Sequence, residues 1–289
     1  MKLSIIVSTY NRVDALDAVL AGLAAQRGLA AADWEVIVAD DGSRQETADQ
    51  VRSWQSRFPC DLLHVWHEDA GFRLAAIRNR SAAQARGEYL VFMDGDCIPF
   101  PDFAREHLRL AQAGCFVAGN RVLLSREFTA QLLAGKDRAA PAFWSPLRWL
   151  AARWKAQANR ALPWLRLELN GMRLKRAGRW QVLKGCNIGV WRSDYSVVNG
   201  FDETFSGWGH EDSDFAVRMI RAGLKLKDGR FAVPVLHLWH KENDRQNQPE
   251  NWARLEATLQ GTAIRALQGV DQYTVVSRPP CARIPPARS

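Results

Sequence analysis

The first hundred residues alternate between two patterns of apolar and polar positions. Short apolar runs, rich in β-branched residues, predict buried strands over residues 3–8, 34–39, 62–66 and 89–93. Between these runs, apolar positions recur at helical spacing and predict helices over residues 13–25, 47–58 and 74–86. Strands that alternate with helices form βαβ units, so we expect an α/β fold around a mostly parallel sheet.

The pattern is looser beyond residue 115. It predicts strands over residues 116–124 and 231–239, an extended segment over 182–191, and mainly helical structure over 127–180, where prolines interrupt the pattern. A further amphipathic helix begins near Glu211 and is predicted to stop at Gly223. The polar stretch "HKENDRQNQPENW" predicts a loop.

Polar side chains follow three of the predicted strands, where each strand ends. These are residues 9–12, the "DDGS" of residues 40–43 and the "DGD" of residues 94–96. Parallel sheets bind ligands beyond the carboxyl ends of their strands, so the three groups should share one edge. Four aspartates gathered there would repel one another without a cation or hydrogen-bond donors. Because there is no GxGxxG after the first strand and no GxxxxGK[ST], a dinucleotide or P-loop site is disfavoured.

Composition narrows the classes of protein. The 289 residues are 47% hydrophobic, enough for one large α/β domain or two smaller ones. No apolar run approaches the roughly 20 residues of a membrane span, and the N-terminus is too short and polar for a signal peptide. Five scattered cysteines without CxxC disfavour a disulfide framework or a zinc site. We therefore expect a cytoplasmic protein.

The net charge of +8 is concentrated in one segment. Residues 141–184 contain ten basic residues and one acid, Glu168, interleaved with five tryptophans. Such a segment fits an anionic membrane surface, an anionic glycan or lipid, or nucleic acid. The structural alternative is a solvated helical face whose aromatic side chains pack inward.

The octapeptide "GWGHEDSD" at residues 207–214 places three carboxylates within four positions. Acids in the first turn of a helix are favoured by capping and by the helix dipole, so a purely structural role is one interpretation. Crowding also raises the proton affinity of one carboxylate beside another, which suits a general base. These residues alone leave both interpretations open.

Four stretches carry a resemblance to a known family: "LSIIVSTYNR", "EVIVADDGS", "AAIRNRSAAQARGEYLVFMDGDC" and "NGFDETFSGWGHEDSD". In this order they resemble an inverting, metal-dependent family 2 glycosyltransferase with the GT-A fold. The C-terminal part is similar to the galactosyltransferase-type domain of β-1,4-galactosyltransferases and bacterial chondroitin polymerases. The resemblance covers residues 1–115 and 182–250. It implies a nucleotide-sugar-binding half (1–120) and an acceptor-binding half (121–270) with a helical insertion (127–180). Four prolines in the tail (271–289) lead us to expect that it is disordered.

The resemblance implies a donor site at the strand ends. Asp96 would bind the metal, and Asp94 would contact the ribose and the metal shell. Asp41 would accept a hydrogen bond from uracil, with Asp40 structural. His240 would be a second metal ligand, with His237 as the alternative, and this ligand set suits Mn²⁺ slightly better than Mg²⁺. The remaining donor contacts implied are Thr9, Asn11, Arg12 and Arg78; a helix-surface role is the alternative for Arg78.

The same resemblance assigns the crowded acids. Asp212 would be the general base, Glu211 would hold acceptor hydroxyls and Asp214 would belong to the helix. Trp208 would cover the donor from a mobile loop. His210 stands where the family usually has a second glycine of "WGGED".

The expected function is transfer of a hexose or N-acetylhexosamine from a UDP-sugar to a hydroxyl of a glycan or lipid-linked glycan, of lipopolysaccharide-core or capsule type. The expected location is the cytoplasm, with peripheral contact to the inner membrane face through the basic segment. Nucleic acid is not expected as a partner. The alternatives are a non-catalytic protein that binds sugar nucleotides or glycans, and a nucleotidyltransferase. Residues 207–214 have no use in nucleotidyl transfer, and the intact set of acids disfavours a binding protein.

Overall fold

The computed structural model describes residues 2–135, 138–241 and 244–273. Ten strands form a seven-stranded sheet and a three-stranded sheet in this part of the chain. The large sheet contains β1 (Leu3–Thr9), β2 (Trp34–Asp40), β3 (Asp61–Trp66), β4 (Tyr89–Asp94), β6 (Cys115–Ala118), β8 (Asn187–Trp191) and β9 (Lys225–Asp228). The small sheet contains β5 (Cys97–Pro99), β7 (Asn120–Leu123) and β10 (Pro234–His237).

The large sheet has the strand order β3-β2-β1-β4-β8-β6-β9. The first four strands are parallel to one another, β8 is antiparallel to both of its neighbours, and β9 is parallel to β6. This confirms the expected mostly parallel sheet. Since strands from residues 1–120 and from residues 121–270 share this one sheet, the two halves predicted from the sequence are built on a common scaffold.

Helices cover both faces of the large sheet. In chain order they are α1 (Val13–Ala24), α2 (Gln45–Gln55), α3 (Leu74–Gln84), α4 (Phe103–Leu110), α5 (Arg126–Ala134), α6 (Pro146–Trp154), α7 (Arg192–Val197), α8 (Glu211–Arg221) and α9 (Gln248–Gln260). Alternate residues of β1 face opposite sides: Val7 packs in the core with α1 and α4, and Ile6 in the core with α3, α7 and α8. This explains why β1 is an unbroken apolar run, since both of its faces are covered.

The segment predicted as one strand, 116–124, is two strands in different sheets. Gly119 separates β6 from β7, and its N–H donates to the carbonyl of Asn187 at 2.9 Å. A Cβ at Gly119 would lie 2.1 Å from the Asn187 side chain, so only glycine fits at this change of sheet. The strand predicted over 231–239 is likewise shorter and spans only Pro234–His237.

The prediction of a mainly helical insertion is correct only in part. Among the described residues of 127–180, α-helix is confined to α5 and α6, with short 3₁₀ turns at Ala140–Phe143 and Asn170–Leu174. Trp149 is fully buried and packs against Trp144, whereas Trp154 is 92% exposed. The aromatic residues of the insertion therefore divide between core packing and surface.

The predicted polar loop after β10 ends earlier than expected, because α9 begins at Gln248. Pro249 stands in the first turn of α9, where a missing N–H costs nothing. Leu255 of this helix packs against Val217 of α8 and thereby fixes α9 beside the crowded acids. Most of the proline-rich tail lies outside the described residues. No helix in the described ranges is both long and apolar enough to cross a membrane.

Candidate active site

The three polar strand ends meet at one edge of the large sheet, as expected. In the paired registers, Thr9 lies opposite Asp40 and Ser8 opposite Asp94. The pairing continues past the strands, because the Asp41 N–H donates to the Thr9 carbonyl at 2.9 Å and the Gly95 N–H to the Ser8 carbonyl at 2.7 Å. A Cβ at Gly95 would lie 2.7 Å from that Ser8 oxygen. The glycine between the two aspartates is therefore a steric requirement of this edge.

Asp96 forms a candidate metal centre with two histidines of β10 and the loop after it. The Oδ1 atom of Asp96 lies 3.8 Å from His237 Nε2, and its Oδ2 atom lies 3.3 Å from His240 Nε2. One ligand atom from each of the three residues lies within 4.8 Å of the others. The small sheet creates this meeting, since His237 pairs with Cys97 and the Leu238 N–H donates to the Asp96 carbonyl.

This cluster fits a divalent cation. One carboxylate oxygen and two imidazole nitrogens would leave further coordination positions open for a ligand. Two imidazoles favour Mn²⁺ over Mg²⁺ more than one would, because Mg²⁺ prefers oxygen ligands. The sequence offered His237 and His240 as alternatives, but the structure brings both to Asp96.

Arg78 is a completely buried cation beneath the site. Its Nη2 donates to Asp94 Oδ1 at 2.8 Å and to the Gly185 carbonyl at 3.0 Å, and its Nη1 lies 3.6 Å from Glu211 Oε1. The helix-surface alternative for Arg78 is therefore wrong. Direct contact with the donor stays a prediction, and the contacts seen make Arg78 the link between the metal edge and the crowded acids.

The two adjacent acids differ in environment. Asp212 is partly exposed, and its Oδ2 accepts a hydrogen bond from the Gly185 N–H at 2.8 Å. Glu211 is buried against Arg78. Burial, assisted by the negative charge of Asp212, raises the pKa of Glu211 to about 7, although Arg78 opposes the shift. The pKa of Glu211 is therefore raised mainly by burial, while the partly exposed Asp212 is the carboxylate that an incoming hydroxyl can reach.

The raised pKa of Glu211 has a consequence for stability. A carboxyl group whose folded pKa exceeds its unfolded value binds a proton more tightly when folded, so stability falls as pH rises from about 4.5 to 7. The shift corresponds to about 3 kcal/mol. We expect Glu211→Gln to remove this pH-dependent loss of stability. In thermal melts without metal, the variant should therefore gain stability relative to the wild type as the pH rises from 5 to 8.

The exposed Glu256 of α9 supplies the matched control for this measurement. Glu256→Gln removes the same charge and should follow the wild-type pH profile. If Glu211→Gln also follows the wild-type profile, the Glu211 carboxyl is not destabilised by burial in this protein.

The loop before α8 has an unusual backbone. Gly207, Gly209 and His210 all have positive φ, at 72°, 108° and 74°. A left-handed conformation is strained for a non-glycine residue, so His210 keeps the backbone shape of the glycine it replaces at an energetic cost. Its ring packs edge-on against Trp252 at 5.2 Å, which ties the loop to α9. The neighbouring Trp208 is partly exposed and lies under the guanidinium of Arg245.

The second-strand aspartates are held by histidines that the sequence did not assign. Asp40 is fully buried and accepts from the Ser43 N–H and His64. Asp41 accepts from His67 Nε2 at 2.6 Å and from the Arg73 N–H at 2.9 Å. The "DDGS" pair is thus locked in place, and base recognition by Asp41 would use the remaining lone pairs of its carboxylate.

The other predicted donor residues lie on the β1 side of the edge. Thr9 is buried, and its hydroxyl has no hydrogen-bond partner within the described residues. Asn11 has φ 48° and bridges to the second strand through Ser43 and Arg44. The Nε atom of Arg12 forms an ion pair with Oδ1 of the nearby Asp14 at 3.2 Å. The unsatisfied Thr9 hydroxyl marks a polar group available to a ligand at this edge.

Gly185 is a site residue that the sequence reasoning missed. It contacts both Asp212 and Arg78. Its N–H donates to the Asp212 carboxylate, and its carbonyl accepts a hydrogen bond from Arg78. The only sequence signal for this role was the presence of a glycine, which can mark a close approach of the backbone. Contacts made by backbone atoms leave no pattern of side chains that the sequence analysis could detect.

The mostly parallel sheet, its helices on both faces and the strand-end acids define the GT-A class of fold. A family model described as "Glycosyl transferase family 2" matches residues 4–165, and a second, described as "N-terminal domain of galactosyltransferase", matches residues 165–241. The chain belongs to glycosyl transferase family 2. The two matches together cover the sheet edge, the candidate metal centre and the crowded acids.

Curated relatives carry glycosyltransferase names. Validoxylamine A glucosyltransferase of Streptomyces hygroscopicus subsp. jinggangensis (strain 5008) is 30% identical over 241 residues, 79% of this chain and 53% of the relative. Chondroitin synthase of Escherichia coli is 28% identical over 269 residues, 89% of this chain and 37% of the relative. The chain therefore spans about half, or less, of the length of these relatives.

Solved structures share the fold. A mannosyltransferase from Pyrobaculum calidifontis in complex with GDP-Man and Mn²⁺ matches with a TM-score of 0.62 at 19% identity, covering 91% of this chain and 65% of that one. TarS of S. aureus in complex with UDP-GlcNAc matches with a TM-score of 0.57 at 13% identity, covering 94% of this chain and 69% of that one. At these identities the likeness establishes the fold alone.

Proposed function

We propose that the protein is an inverting, metal-dependent glycosyltransferase that moves a hexose or N-acetylhexosamine from a UDP-sugar to a hydroxyl of a glycan or lipid-linked glycan. The observation that carries the proposal is that the Asp96, His237 and His240 cluster adjoins Asp94 at one sheet edge. Arg78 links Asp94 to Glu211 and, through Gly185, to Asp212. One group suits a diphosphate-bound cation and the other suits proton removal, and a sugar transfer needs both.

The donor and metal contacts are assigned to residues at this edge of the large sheet. Asp96, His237 and His240 would hold Mn²⁺, and Asp94, fixed by Arg78, would contact the ribose and the metal shell. When bound, the cation neutralises the charge that develops on the departing diphosphate. Thr9, Asn11, Arg12 and Asp41 would receive the base and diphosphate, and Trp208 would close over the donor.

The acceptor residues are assigned by which carboxylate an incoming hydroxyl can reach. The partly exposed Asp212 takes the proton of the attacking hydroxyl at Oδ1, while the Gly185 N–H holds Oδ2. Glu211 lies behind it, buried against Arg78. A single displacement of this kind inverts the configuration of the transferred sugar. Asp214 remains structural, since it is buried and paired with Arg218 at 2.8 Å.

UDP as the nucleotide and Mn²⁺ as the cation are supported by the family and by the fold. TarS was solved with UDP-GlcNAc, the mannosyltransferase with GDP-Man and Mn²⁺, and both share this fold. Two curated relatives are named validoxylamine A glucosyltransferase and chondroitin synthase, which supports sugar transfer.

Calorimetric titration of UDP with and without Mn²⁺ tests the donor site. We expect wild-type protein to bind UDP only with Mn²⁺, and Asp96→Ala to lose at least about 10-fold in affinity, because removing one metal ligand weakens the cation that bridges to the diphosphate. Asp49→Ala, at an exposed position of α2, is the charge-matched control and should bind as wild type does.

Two results would count against the proposal. Wild-type protein that binds no UDP with Mn²⁺ present would contradict the donor assignment. UDP binding without hydrolysis or transfer from any of a panel of UDP-sugars would instead indicate a non-catalytic binding protein.

A further inference from the structure

A strongly basic cleft opens beside the candidate active site. Its volume is about 620 Å³, within the range of roughly 300–1,000 Å³ typical of small-molecule sites. We call it the basic cleft, after the six basic side chains among its lining residues: Arg121, Arg160, Arg176, Arg179, Lys184 and Arg230. Asp228 is the one acid in the lining, and it is already paired with Arg230 at 2.8 Å.

The other cations of the cleft have no carboxylate partner in the described residues. Arg121, Arg160, Arg176 and Arg179 make no ion pair there, and Lys184 donates only to a backbone carbonyl. Several arginines elsewhere in the described residues are paired, as in Arg166 with Asp102 and Arg109 with Glu168. Like charges that share a concave surface repel one another and focus a positive potential, so the cleft favours an anionic occupant.

The basic cleft touches both chemical groups of the active site. Lys184 precedes Gly185, whose N–H holds Asp212. Leu123 of β7, also in the lining, pairs in register with the candidate metal ligand His237. The predicted base contacts Thr9 and Asp41 lie at the ends of β1 and β2, and β4 and β8 separate these strands from β6, which contributes Ala118 to the lining. The cleft is therefore on the side from which an acceptor, rather than the donor, would approach Asp212.

The lining also contains groups suited to a saccharide. Asn120, Asn159 and Gln181 offer neutral hydrogen-bonding groups between the cations. Asn120 Oδ1 is buried and has no hydrogen-bond partner in the described ranges, so a ligand hydroxyl could satisfy it. Leu123 and Val182 add apolar contact. A simple inorganic anion would leave most of these groups unused.

We propose that the basic cleft is the acceptor subsite, and that it selects a saccharide carrying a carboxylate or phosphate near the hydroxyl that is glycosylated. This inference rests on the proposed glycosyltransferase function and specifies its acceptor class. The anion binds Arg176, Arg179 and their neighbours, and the saccharide then extends past Lys184 toward Asp212. Net positive charge in the cleft thus determines which acceptors reach the base.

The test uses three forms of one short, fluorescently labelled dextran oligosaccharide: unmodified, carboxymethylated and phosphorylated. Fluorescence anisotropy at low and high salt measures their binding to the full chain. We expect each anionic form to bind at least about 10-fold more tightly than the neutral form at low salt, with the difference shrinking as salt screens the charges. Comparing carboxymethyl with phosphate shows which anion the cleft prefers.

Variants locate the binding. Arg176→Gln with Arg179→Gln removes two exposed charges from the cleft and should weaken both anionic forms about 10-fold while leaving the neutral form unchanged. Arg153→Gln with Lys175→Gln removes two exposed charges from the same segment outside the cleft lining and is the matched control. Equal weakening by both pairs, or no preference for the anionic forms, would overturn the proposal.

Two further measurements separate the alternatives. Phosphatidylglycerol vesicles compared with phosphatidylcholine vesicles test a membrane role: vesicle binding that is lost in the cleft variant, with dextran binding unaffected, would overturn the acceptor role. UDP titration with Mn²⁺ on the same samples reports the proposed function separately. The acceptor subsite is supported if the anionic dextrans bind at the cleft and the cleft variant binds UDP as the wild type does. It is overturned if the wild type binds the dextrans but binds no UDP.

Discussion

Asp212→Asn is expected to lower kcat by about 10²–10⁴-fold while UDP binding with Mn²⁺ stays close to that of the wild type. The amide keeps the size of the side chain and can still accept from the Gly185 N–H through its oxygen. It cannot take the proton of the attacking hydroxyl. Since Asp212 does not belong to the Asp96, His237 and His240 cluster found in the described residues, the metal site should be unaffected. Steady-state transfer assays and UDP calorimetry on the same protein measure the two effects.

Ser213→Ala is the control for this prediction. The Ser213 hydroxyl donates to the other oxygen of Asp212 at 3.2 Å, so its loss disturbs the same carboxylate without removing the base. We expect Ser213→Ala to change kcat by less than about 10-fold. If Asp212→Asn retains near-wild-type kcat while Glu211→Gln does not, the base is Glu211, whose pKa of about 7 would suit that role.

Arg78→Met is expected to lower the free energy of unfolding by about 3–5 kcal/mol, because it removes one partner from a buried ion cluster. Arg78 has no exposed surface and contacts Asp94, Glu211 and Ser8. Methionine has a similar length, so the loss comes mainly from leaving two carboxylates without their cation. Burial already raises the pKa of Asp94, with Arg78 opposing the rise, so the variant should also hold Asp94 protonated to higher pH.

Arg80→Gln provides the comparison for urea unfolding. Arg80 lies two residues further along α3 and is exposed, so the substitution should change stability by no more than about 0.5 kcal/mol. A similar small change for Arg78→Met would mean that Asp94 and Glu211 do not depend on Arg78 in the folded state. If Arg78→Met is destabilised but keeps wild-type transfer activity when folded, the guanidinium supports the fold without positioning the site.

The sheet and its edge could be predicted because their signals are local. The runs that became β1, β2 and β4 are buried on both faces, and each is followed within a few residues by its polar group. Parallel pairing then places those groups together whatever the loops do. The same local logic identified the crowded acids, since their spacing and the preceding glycines are visible in eight residues.

Predictions failed where a distant contact decides the local structure. The strand predicted over 116–124 divides at Gly119 because Asn187, far along the chain, fills the space of a side chain there. The last residues of the predicted polar loop, from Gln248 onward, belong to α9 because its buried Leu255 packs beside Val217. Neither partner can be read from the segment itself, since hydrophobic pattern describes one element and not its neighbours.

By itself the sequence determined the α/β class, the strand ends that carry chemistry and the family resemblance of four motifs. The tertiary structure alone decided three further properties. It brought both His237 and His240 to Asp96, buried Arg78 between two acids, and gathered cations from three separate segments into the basic cleft. The physical reason is the same in each case: burial and charge proximity depend on side chains that are distant in sequence, and only the packed fold brings them within range of one another.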